Sequence, residues 1–245
     1  MEKVLTISKD YLLVPVKKEA EKRLLTFWCG TEKIYEFEIS CVDTEETYPE
    51  DFCAVLPVKK WKGQKIRIEG DVCESLLSAV REKESAVREN SGYIHFVPET
   101  GWINDPNGLI YSEGKYHLYF QHNPVDVNWG NMSWGHAEST DLLHWVQKED
   151  VMFPDENGTM FSGCAILNER GLLGLPKDTP VFFYTVAGSA SEWSKGKKFV
   201  QRIAYSTDQG ETLTKIEENV LEHIEADNRD PKVYWHEEKQ LYYMV

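Results

Sequence analysis

The sequence lacks the cysteine spacings of metal and redox sites. Its five cysteines are odd in number, and no two of them are in Cys-x-x-Cys spacing. A thiolate metal site, a thioredoxin-like motif and a complete disulfide framework are therefore unsupported. We expect free, mostly buried thiols in a reducing compartment. No group of His, Cys and carboxylate residues has metal-ligand spacing either, so the sequence predicts no metal and no other cofactor.

Long hydrophobic runs are also missing. No stretch approaches the length needed to cross a bilayer, and residues 1–6, Met-Glu-Lys-Val-Leu-Thr, lack the apolar core of a signal peptide. The sequence therefore predicts no membrane association. Taken as it stands, this N-terminus also predicts a cytoplasmic protein.

Positive charge is scarce. The chain has 27 Lys and Arg against 41 Asp and Glu, which gives a formal net charge of −14. Binding to phosphate needs clustered Lys and Arg, so nucleic acid and anionic membrane surfaces are poor partners. This balance fits a neutral substrate, and it says nothing about the oligomeric state.

Short β-rich runs fill the first part of the chain. The strands are predicted at residues 11–16, 23–28, 33–39 and 65–70. In the third run Ile34, Phe37 and Ile39 alternate with charged positions, as in a strand with one buried face. The spacing of the runs predicts a small accessory domain at residues 1–74 that resembles a β-sandwich.

The pattern changes after residue 74. Leu76, Leu77, Val80 and Val87 stand among charged residues without Gly or Pro, and residues 90–92, Asn-Ser-Gly, end the segment. This spacing predicts a linker helix over residues 75–91.

Residues 92–245 return to strands and turns. Aromatic strands flank short polar turns at residues 108–120 and again at residues 233–244, and each hairpin follows an Asp-Pro pair. Repeated units of this kind predict an all-β protein in which part of a β-propeller follows the accessory domain. Because the chain stops at Val245 inside an apolar run, we expect a propeller truncated at its C-terminus.

Residues 102–108, Trp-Ile-Asn-Asp-Pro-Asn-Gly, contain a candidate nucleophile. Glycoside hydrolysis needs one carboxyl group that attacks carbon and another that protonates the leaving oxygen. Asn104 and Asn107 place amide donors beside Asp105, and such hydrogen bonds favour the charged carboxylate. Taken alone, the segment is also typical of an ordinary turn.

The stretch from Gln121 to Trp145 is rich in groups that bind sugars. Flat aromatic rings pack on sugar faces, while amides and imidazoles bind hydroxyl groups. The three tryptophans also have an alternative role as core anchors, which we favour for Trp145. The relevant tryptophans are Trp129, Trp134 and Trp145.

Four motifs in this order resemble glycoside hydrolase family 32, which contains invertases, levanases and inulinases. They are residues 102–108, residues 121–145, Phe-Ser-Gly at 161–163 and Arg-Asp-Pro at 229–231. The resemblance covers about residues 93–245. It implies a five-bladed propeller that cleaves terminal β-fructofuranosidic bonds with retention, on sucrose, levan or inulin.

The resemblance also implies roles for individual residues. Asp105 matches the nucleophile that forms a covalent fructosyl-enzyme, and Asp230 matches the carboxylate that stabilises the transition state. The positions that match contacts to the fructosyl unit or to Asp230 are Asn104, Gln121, Trp129, Ser162 and Arg229. An oxocarbenium-like transition state is stabilised by such anionic groups.

The chain departs from the family pattern at its acid/base residue. The family carries this glutamate in a Glu-Cys pair after Arg-Asp-Pro, and no Glu-Cys pair occurs here. We therefore expect the proton donor beyond Val245, and a chain inactive on its own. Cys164 also stands where Ser is common. A non-catalytic fructan-binding module, a fructosyl transferase and a related arabinoside-cleaving propeller are the alternatives.

Overall fold

The computed structural model describes residues 1–44, 46–85 and 94–245. Strands account for 49% of the residues and helices for 5%, so the predicted all-β class is confirmed. The chain divides into two compact units. The first begins at Met1 and includes the short segments Pro98–Trp102 and Asn123–Asn131, and the second holds Ile103–His122 and Met132–Val245.

The first unit contains two antiparallel sheets. One has four strands in the order β1-β6-β3-β4, and the other has three in the order β5-β2-β7. The strands are β1 (Glu2–Thr6), β2 (Tyr11–Val16), β3 (Lys22–Cys29), β4 (Glu32–Ser40), β5 (Phe52–Pro57), β6 (Lys65–Gly70) and β7 (Arg81–Lys83). The four strands predicted from the sequence correspond to β2, β3, β4 and β6.

Alternate residues of both sheets form the core of the first unit. Leu12, Val14 and Val16 of β2 are buried at a spacing of two, and so are Ile66 and Ile68 of β6. This is the spacing at which side chains of a strand share one face. Because each sheet has an apolar face to bury, the two sheets form one β-sandwich-like unit.

The predicted linker helix is largely wrong. Helix α1 covers only Glu74–Ala79, and Val80 already has an extended backbone. The next residues form β7, in which Glu82 lies opposite Leu12 of β2. The carboxylate of Glu82 also accepts the backbone N–H groups of Ser8 and Lys9 at 2.6 and 2.9 Å. Strand pairing with β2 therefore overrides the helical pattern, and residues 86–93 lie outside the described residues.

The second unit contains two four-stranded meanders and a hairpin. The meanders run β8-β9-β10-β11 and β12-β13-β14-β15, and β16 pairs with β17. The strands are β8 (Trp102–Ser112), β9 (Lys115–Asn123), β10 (Ser133–Ser139), β11 (Trp145–Gln147), β12 (Thr159–Leu167), β13 (Pro180–Ala187), β14 (Val200–Tyr205), β15 (Thr214–Leu221), β16 (Val233–His236) and β17 (Leu241–Met244). Four-stranded meanders are the blades of a β-propeller. Both predicted hairpins, β8–β9 and β16–β17, are present, while the number of blades in the whole protein stays a prediction.

Strand β13 joins the three sheets of the second unit. All eight of its residues are buried. Phe182 and Tyr184 enter a core shared with the first blade, whereas Val181 and Phe183 enter a second core that contains Val233 of β16. A strand buried on both faces loses the alternation of polar and apolar residues, as the sequence Pro-Val-Phe-Phe-Tyr-Thr-Val-Ala shows.

Aromatic edge-to-face contacts fill the core between the two blades. The ring of Phe182 lies 4.9 Å from that of Tyr119 and 6.3 Å from that of Trp134, in both cases nearly perpendicular to it. Gly108 of β8 packs directly beneath them: a Cβ there would approach Tyr119 to 3.0 Å and Phe182 to 3.2 Å. Since its φ is also +50°, glycine suits this position on both counts.

The cysteines are free, as expected, but they are not mostly buried. Cys41 and Cys164 are buried, whereas Cys29, Cys53 and Cys73 are partly exposed. Cys29 is the last residue of β3, and Cys53 lies on the edge strand β5. Among the described residues, no helix has the length and apolar character needed to cross a membrane.

Removing the Phe182 ring should be among the costliest single changes in the second unit. We expect Phe182→Ala in the full-length protein to lower the free energy of unfolding by about 3–5 kcal/mol, because a cavity opens between the blades. Leu143 is 81% exposed, so Leu143→Ala should change this free energy by less than about 0.5 kcal/mol. Urea denaturation measures both, and equal losses would contradict the assignment of Phe182 to the core.

Candidate active site

Asp105 lies in a regular strand rather than in a turn. It is exposed in the middle of β8, the edge strand of the first blade. The hydroxyl of Ser162 donates a hydrogen bond of 2.7 Å to Asp105 Oδ2. Ser162 belongs to β12, the first strand of the second blade. The first strands of two successive blades thus bring two predicted site residues into contact.

A β-bulge aims Ser162 at Asp105. The register between β12 and β13 shifts between Met160 and Gly163, so Ser162 lies where the ladder is interrupted. Bulges of this kind re-aim a side chain next to active sites. Gly163 allows the bulge to sit close to β13, because a Cβ there would lie 1.9 Å from the Phe183 carbonyl oxygen. The motif Phe-Ser-Gly is therefore explained by local geometry.

Two buried side chains of the first blade hold the bulge in place. Gln121 Nε2 donates to the Met160 carbonyl at 2.8 Å, and Trp134 Nε1 donates to the Phe161 carbonyl at 3.0 Å. Gln121 was predicted to contact substrate; in the structure it is 2% exposed, and its amide nitrogen bonds to the bulge. The ring of Trp134 is fully buried in the core between the blades, so Trp134 is a core anchor.

Asn107 shares the same junction. Its side chain is 1% exposed, and its Oδ1 accepts the Gly163 backbone N–H at 3.4 Å. Asn104, on the other side of Asp105, is partly buried. The two amides expected to flank the nucleophile thus have different surroundings, and Asn107 supports the strand junction beside the Asp105–Ser162 contact.

Asp230 adopts a backbone conformation that is uncommon for a residue other than glycine. Its φ is +66°, which places it in the left-handed region. Arg229 Nε lies 3.5 Å from Asp230 Oδ2, and the Arg229 guanidinium also pairs with Asp227. The Arg-Asp-Pro motif therefore forms a small charged group before β16.

The electrostatics link Asp230 to Asp105. Partial burial raises the pKa of Asp230, the Arg229 guanidinium lowers this pKa, and the carboxylates of Asp105 and Asp227 raise it again. The net direction is upward from the ordinary value for aspartate. Asp105 and Asp230 thus lie near enough for their charges to interact.

Trp129 belongs to the first unit. It lies in the segment Asn123–Asn131 and is 53% exposed. The amide of Asn131 fixes this segment to β4: its Oδ1 accepts the Glu38 N–H at 2.9 Å, and its Nδ2 donates to the Glu38 carbonyl at 2.8 Å. The Ser40 hydroxyl also donates to the buried carboxylate of Asp126. The role of Trp129 in substrate binding stays a prediction.

Cys164, which stands where Ser is common in the family, makes a polar contact with the backbone. Its buried Sγ accepts the backbone N–H of Val233 at 3.1 Å. Burial raises the pKa of this thiol, so it remains neutral while it ties β12 to β16.

A buried His–His–Glu group was not indicated by the sequence spacing. His117, His136 and Glu138 bring their ligand-type atoms within 4.8 Å of one another. His117 Nδ1 lies 3.1 Å from His136 Nε2, and burial lowers the pKa of His136 to about 3. Lys115 already neutralises Glu138 through a contact of 2.9 Å. These features fit a neutral hydrogen-bonded pair in the core better than a cation site.

The group also shows why sequence spacing missed it. His117 lies directly opposite Glu138 in the pairing of β9 with β10, and His136 is two residues from Glu138 on the same face. Only the register of the hairpin brings the three together. His136 also stacks on Tyr119 with ring centroids 4.5 Å apart.

The comparison with known families agrees with this geometry. Residues 95–245, more than half of the chain, match the N-terminal domain of the glycosyl hydrolases family 32. The chain belongs to glycosyl hydrolase family 32. The matched region begins before β8 and includes Asp105, Ser162 and Asp230, so the whole candidate site of the second unit lies within the family domain.

Relatives of this family 32 chain include a levanase of Bacillus subtilis, which is 42% identical over 62% of the chain and 22% of its own length. An extracellular exo-inulinase of Aspergillus awamori is 38% identical over 63% of the chain and 33% of its own length. Among solved structures, a β-fructofuranosidase of Schwanniomyces occidentalis complexed with fructosyl-erythritol is 37% identical, with a TM-score of 0.56 over 64% of this chain and 32% of that one. The chain thus spans a fifth to a third of the length of these relatives.

The charge environment of Asp230 gives a prediction with a defined sign. Since Arg229 lowers the pKa of Asp230, Arg229→Gln should raise it, and the carboxyl group should stay protonated to a higher pH. Asp227→Asn should lower it, because a nearby negative charge is removed. Titration of the Asp230 carboxyl carbon by NMR in the full-length variants measures both shifts. Shifts of the same sign in both variants would contradict this description of the site.

Proposed function

We propose that the full-length protein hydrolyses terminal β-fructofuranosidic bonds with retention, through a covalent fructosyl–Asp105 intermediate. The observation that carries this proposal is the exposed carboxylate of Asp105, held by the Ser162 hydroxyl at the junction of two first strands. A carboxylate that receives one hydrogen bond and keeps its second oxygen for attack is suited to be a nucleophile.

Ser162 supports this role in two ways. Its hydroxyl binds one carboxylate oxygen of Asp105, Oδ2, and leaves the other oxygen for attack. It also restricts the side chain to one orientation, which lowers the entropy lost in reaching the attacking geometry. Both effects depend on the bulge in β12, since that bulge turns Ser162 toward β8.

Asp230 and Arg229 supply the second part of the proposal. The transition state of fructosyl transfer is oxocarbenium-like and positively charged. A carboxylate at Asp230 would stabilise this charge and accept hydrogen bonds from fructose hydroxyl groups. Its pKa is raised first by partial burial and further by the neighbouring carboxylates of Asp105 and Asp227, against the lowering by Arg229. Hydroxyl contacts that tighten in the transition state raise the rate of the chemical step.

Retention requires a second carboxyl group that protonates the leaving oxygen and then activates water. We assign this role to the glutamate of a Glu-Cys pair, which the family resemblance implies and which is not among these 245 residues. The substrate class we propose is fructose at the non-reducing end of sucrose, levan or inulin. The names of the relatives, levanase, exo-inulinase and invertase, support this class.

The test is the Asp105→Asn variant of the full-length protein. Amide for carboxylate keeps the shape and the Ser162 contact but removes the nucleophile, so turnover should fall by at least about a thousandfold while substrate still binds. Fructose release from sucrose, inulin and levan, measured side by side, gives turnover. Calorimetric titration with a fructo-oligosaccharide gives binding.

Asp178→Asn is the matched control. Asp178 is exposed and has a φ of +63°, a conformation that asparagine also adopts, so this variant should keep wild-type turnover. Wild-type turnover in Asp105→Asn would refute the nucleophile assignment. Binding of fructan by the wild-type protein without any turnover would instead favour a fructan-binding module.

A further inference from the structure

A chain of three hydrogen bonds connects the second blade to the Arg-Asp-Pro segment. The backbone N–H of Asp230 donates to Thr185 Oγ1 at 2.9 Å, and the Thr185 hydroxyl donates to Gln201 Oε1 at 2.6 Å. Gln201 Nε2 then donates to the Asn228 carbonyl at 3.1 Å. We propose that Thr185 and Gln201 are positioning residues that fix the backbone of Asp230 for catalysis.

We call these three hydrogen bonds the relay, and Thr185 and Gln201 the relay residues. The direction of each hydrogen bond is determined. The oxygen of Thr185 accepts a proton from the Asp230 backbone, so its own hydroxyl proton points to Gln201. The carbonyl of Gln201 therefore faces Thr185, and its NH₂ group faces Asn228. Each donor in the relay thus has its own acceptor. A buried hydrogen-bond network that is satisfied in this way favours a single geometry.

Both relay residues lie in the buried part of the second blade. Thr185 of β13 is 0% exposed and Gln201 of β14 is 2% exposed. They lie directly opposite each other in the β13–β14 ladder, so their side chains stand on the same face at a distance set by the sheet. The relay thus anchors the exposed Arg-Asp-Pro segment to a buried sheet.

The backbone of Asp230 needs such support. Its φ of +66° is in the left-handed region, which is less favourable than negative φ for a residue with a Cβ. The relay bonds the N–H of Asp230 and the carbonyl of Asn228, one on each side of Arg229. Without these two anchors the segment relaxes toward negative φ, and the Asp230 carboxylate moves.

This inference rests on the proposed function, because the rate effect requires Asp230 to stabilise the transition state. A displacement of about 1 Å in a catalytic group costs up to about a hundredfold in rate. Ground-state binding depends less on one carboxylate, so the loss should fall on kcat and leave KM nearly unchanged.

The first experiment uses Thr185→Val in the full-length protein. Valine keeps the shape and the β-branch but removes the oxygen, so kcat should fall about tenfold to a hundredfold with little change in KM. Thr185→Ser restores the hydroxyl and should recover most of kcat. Gln201→Met removes the other half of the relay and should lower kcat in the same direction.

Thr159→Val is the matched control. Thr159 is also a buried threonine of the second blade, and its hydroxyl has no hydrogen-bond partner in the described part of the chain. This variant should keep kcat. If Thr159→Val and Thr185→Val lose kcat and melting temperature equally, or if Thr185→Ser fails to recover kcat, the positioning role is overturned.

Hydrogen exchange separates this inference from the proposed function. The Asp230 amide should lose protection in Thr185→Val and keep it in Thr185→Ser and Thr159→Val, whatever the activity. A wild-type protein without fructosidase activity, together with this pattern of exchange, would refute the proposed function and leave the relay standing. An active wild type with unchanged exchange and unchanged kcat in Thr185→Val would refute the relay alone.

Discussion

Strand β13 has no face toward solvent. Its alternate side chains enter two different cores, one shared with the first blade and one shared with β16. Burial of a large apolar side chain such as that of Phe182 contributes roughly 1.5–3 kcal/mol. Because both cores depend on the same strand, the relative positions of the three sheets in the second unit are set by how β13 packs.

The candidate site depends on the same strand at two points. The close approach of β13 to Gly163 makes room for the bulge that turns Ser162 toward Asp105. Two residues beyond Phe183, the hydroxyl oxygen of Thr185 accepts a hydrogen bond from the backbone N–H of Asp230. The proposed nucleophile and the proposed transition-state stabiliser come from distant parts of the sequence. Asp105 is held by Ser162 of β12, the strand that pairs with β13, whereas Asp230 is held directly by Thr185 of β13.

Burial explains where the polar groups of the site lie. Gln121, Asn107, Thr185 and Gln201 are all nearly inaccessible, and each has at least one hydrogen bond. A buried polar group without a partner costs about 1–3 kcal/mol, so these side chains act as fixed connectors between strands. The exposed groups, Asp105 and Asp230, are the ones that can meet a substrate. In the proposed mechanism, catalysis depends on this exposed pair of carboxylates and on the buried polar side chains that hold the strands around them.

The sequence by itself determined the local structure wherever one strand face or one turn carried the pattern. It predicted β2, β3, β4 and β6, both aromatic hairpins, and the order of motifs that led to Asp105, Ser162 and Asp230. The prediction was wrong where a segment with a helical pattern pairs with a strand that is distant in the sequence. The charged segment after Leu77 has a pattern that predicts a helix, but pairing with β2 makes residues 81–83 a strand.

Only the tertiary structure decided which residues meet. The Asp105–Ser162 hydrogen bond joins residues 57 positions apart, and the Asp230–Thr185 bond joins residues 45 positions apart. Thr185 and Gln201 have no motif of their own, because their role comes from the β13–β14 register and from the φ of Asp230. Periodicity reports which face of a strand is buried, but not which strand of another sheet lies against it. The sequence therefore predicts the reacting groups, whereas the packing of the blades determines which residues hold them in place.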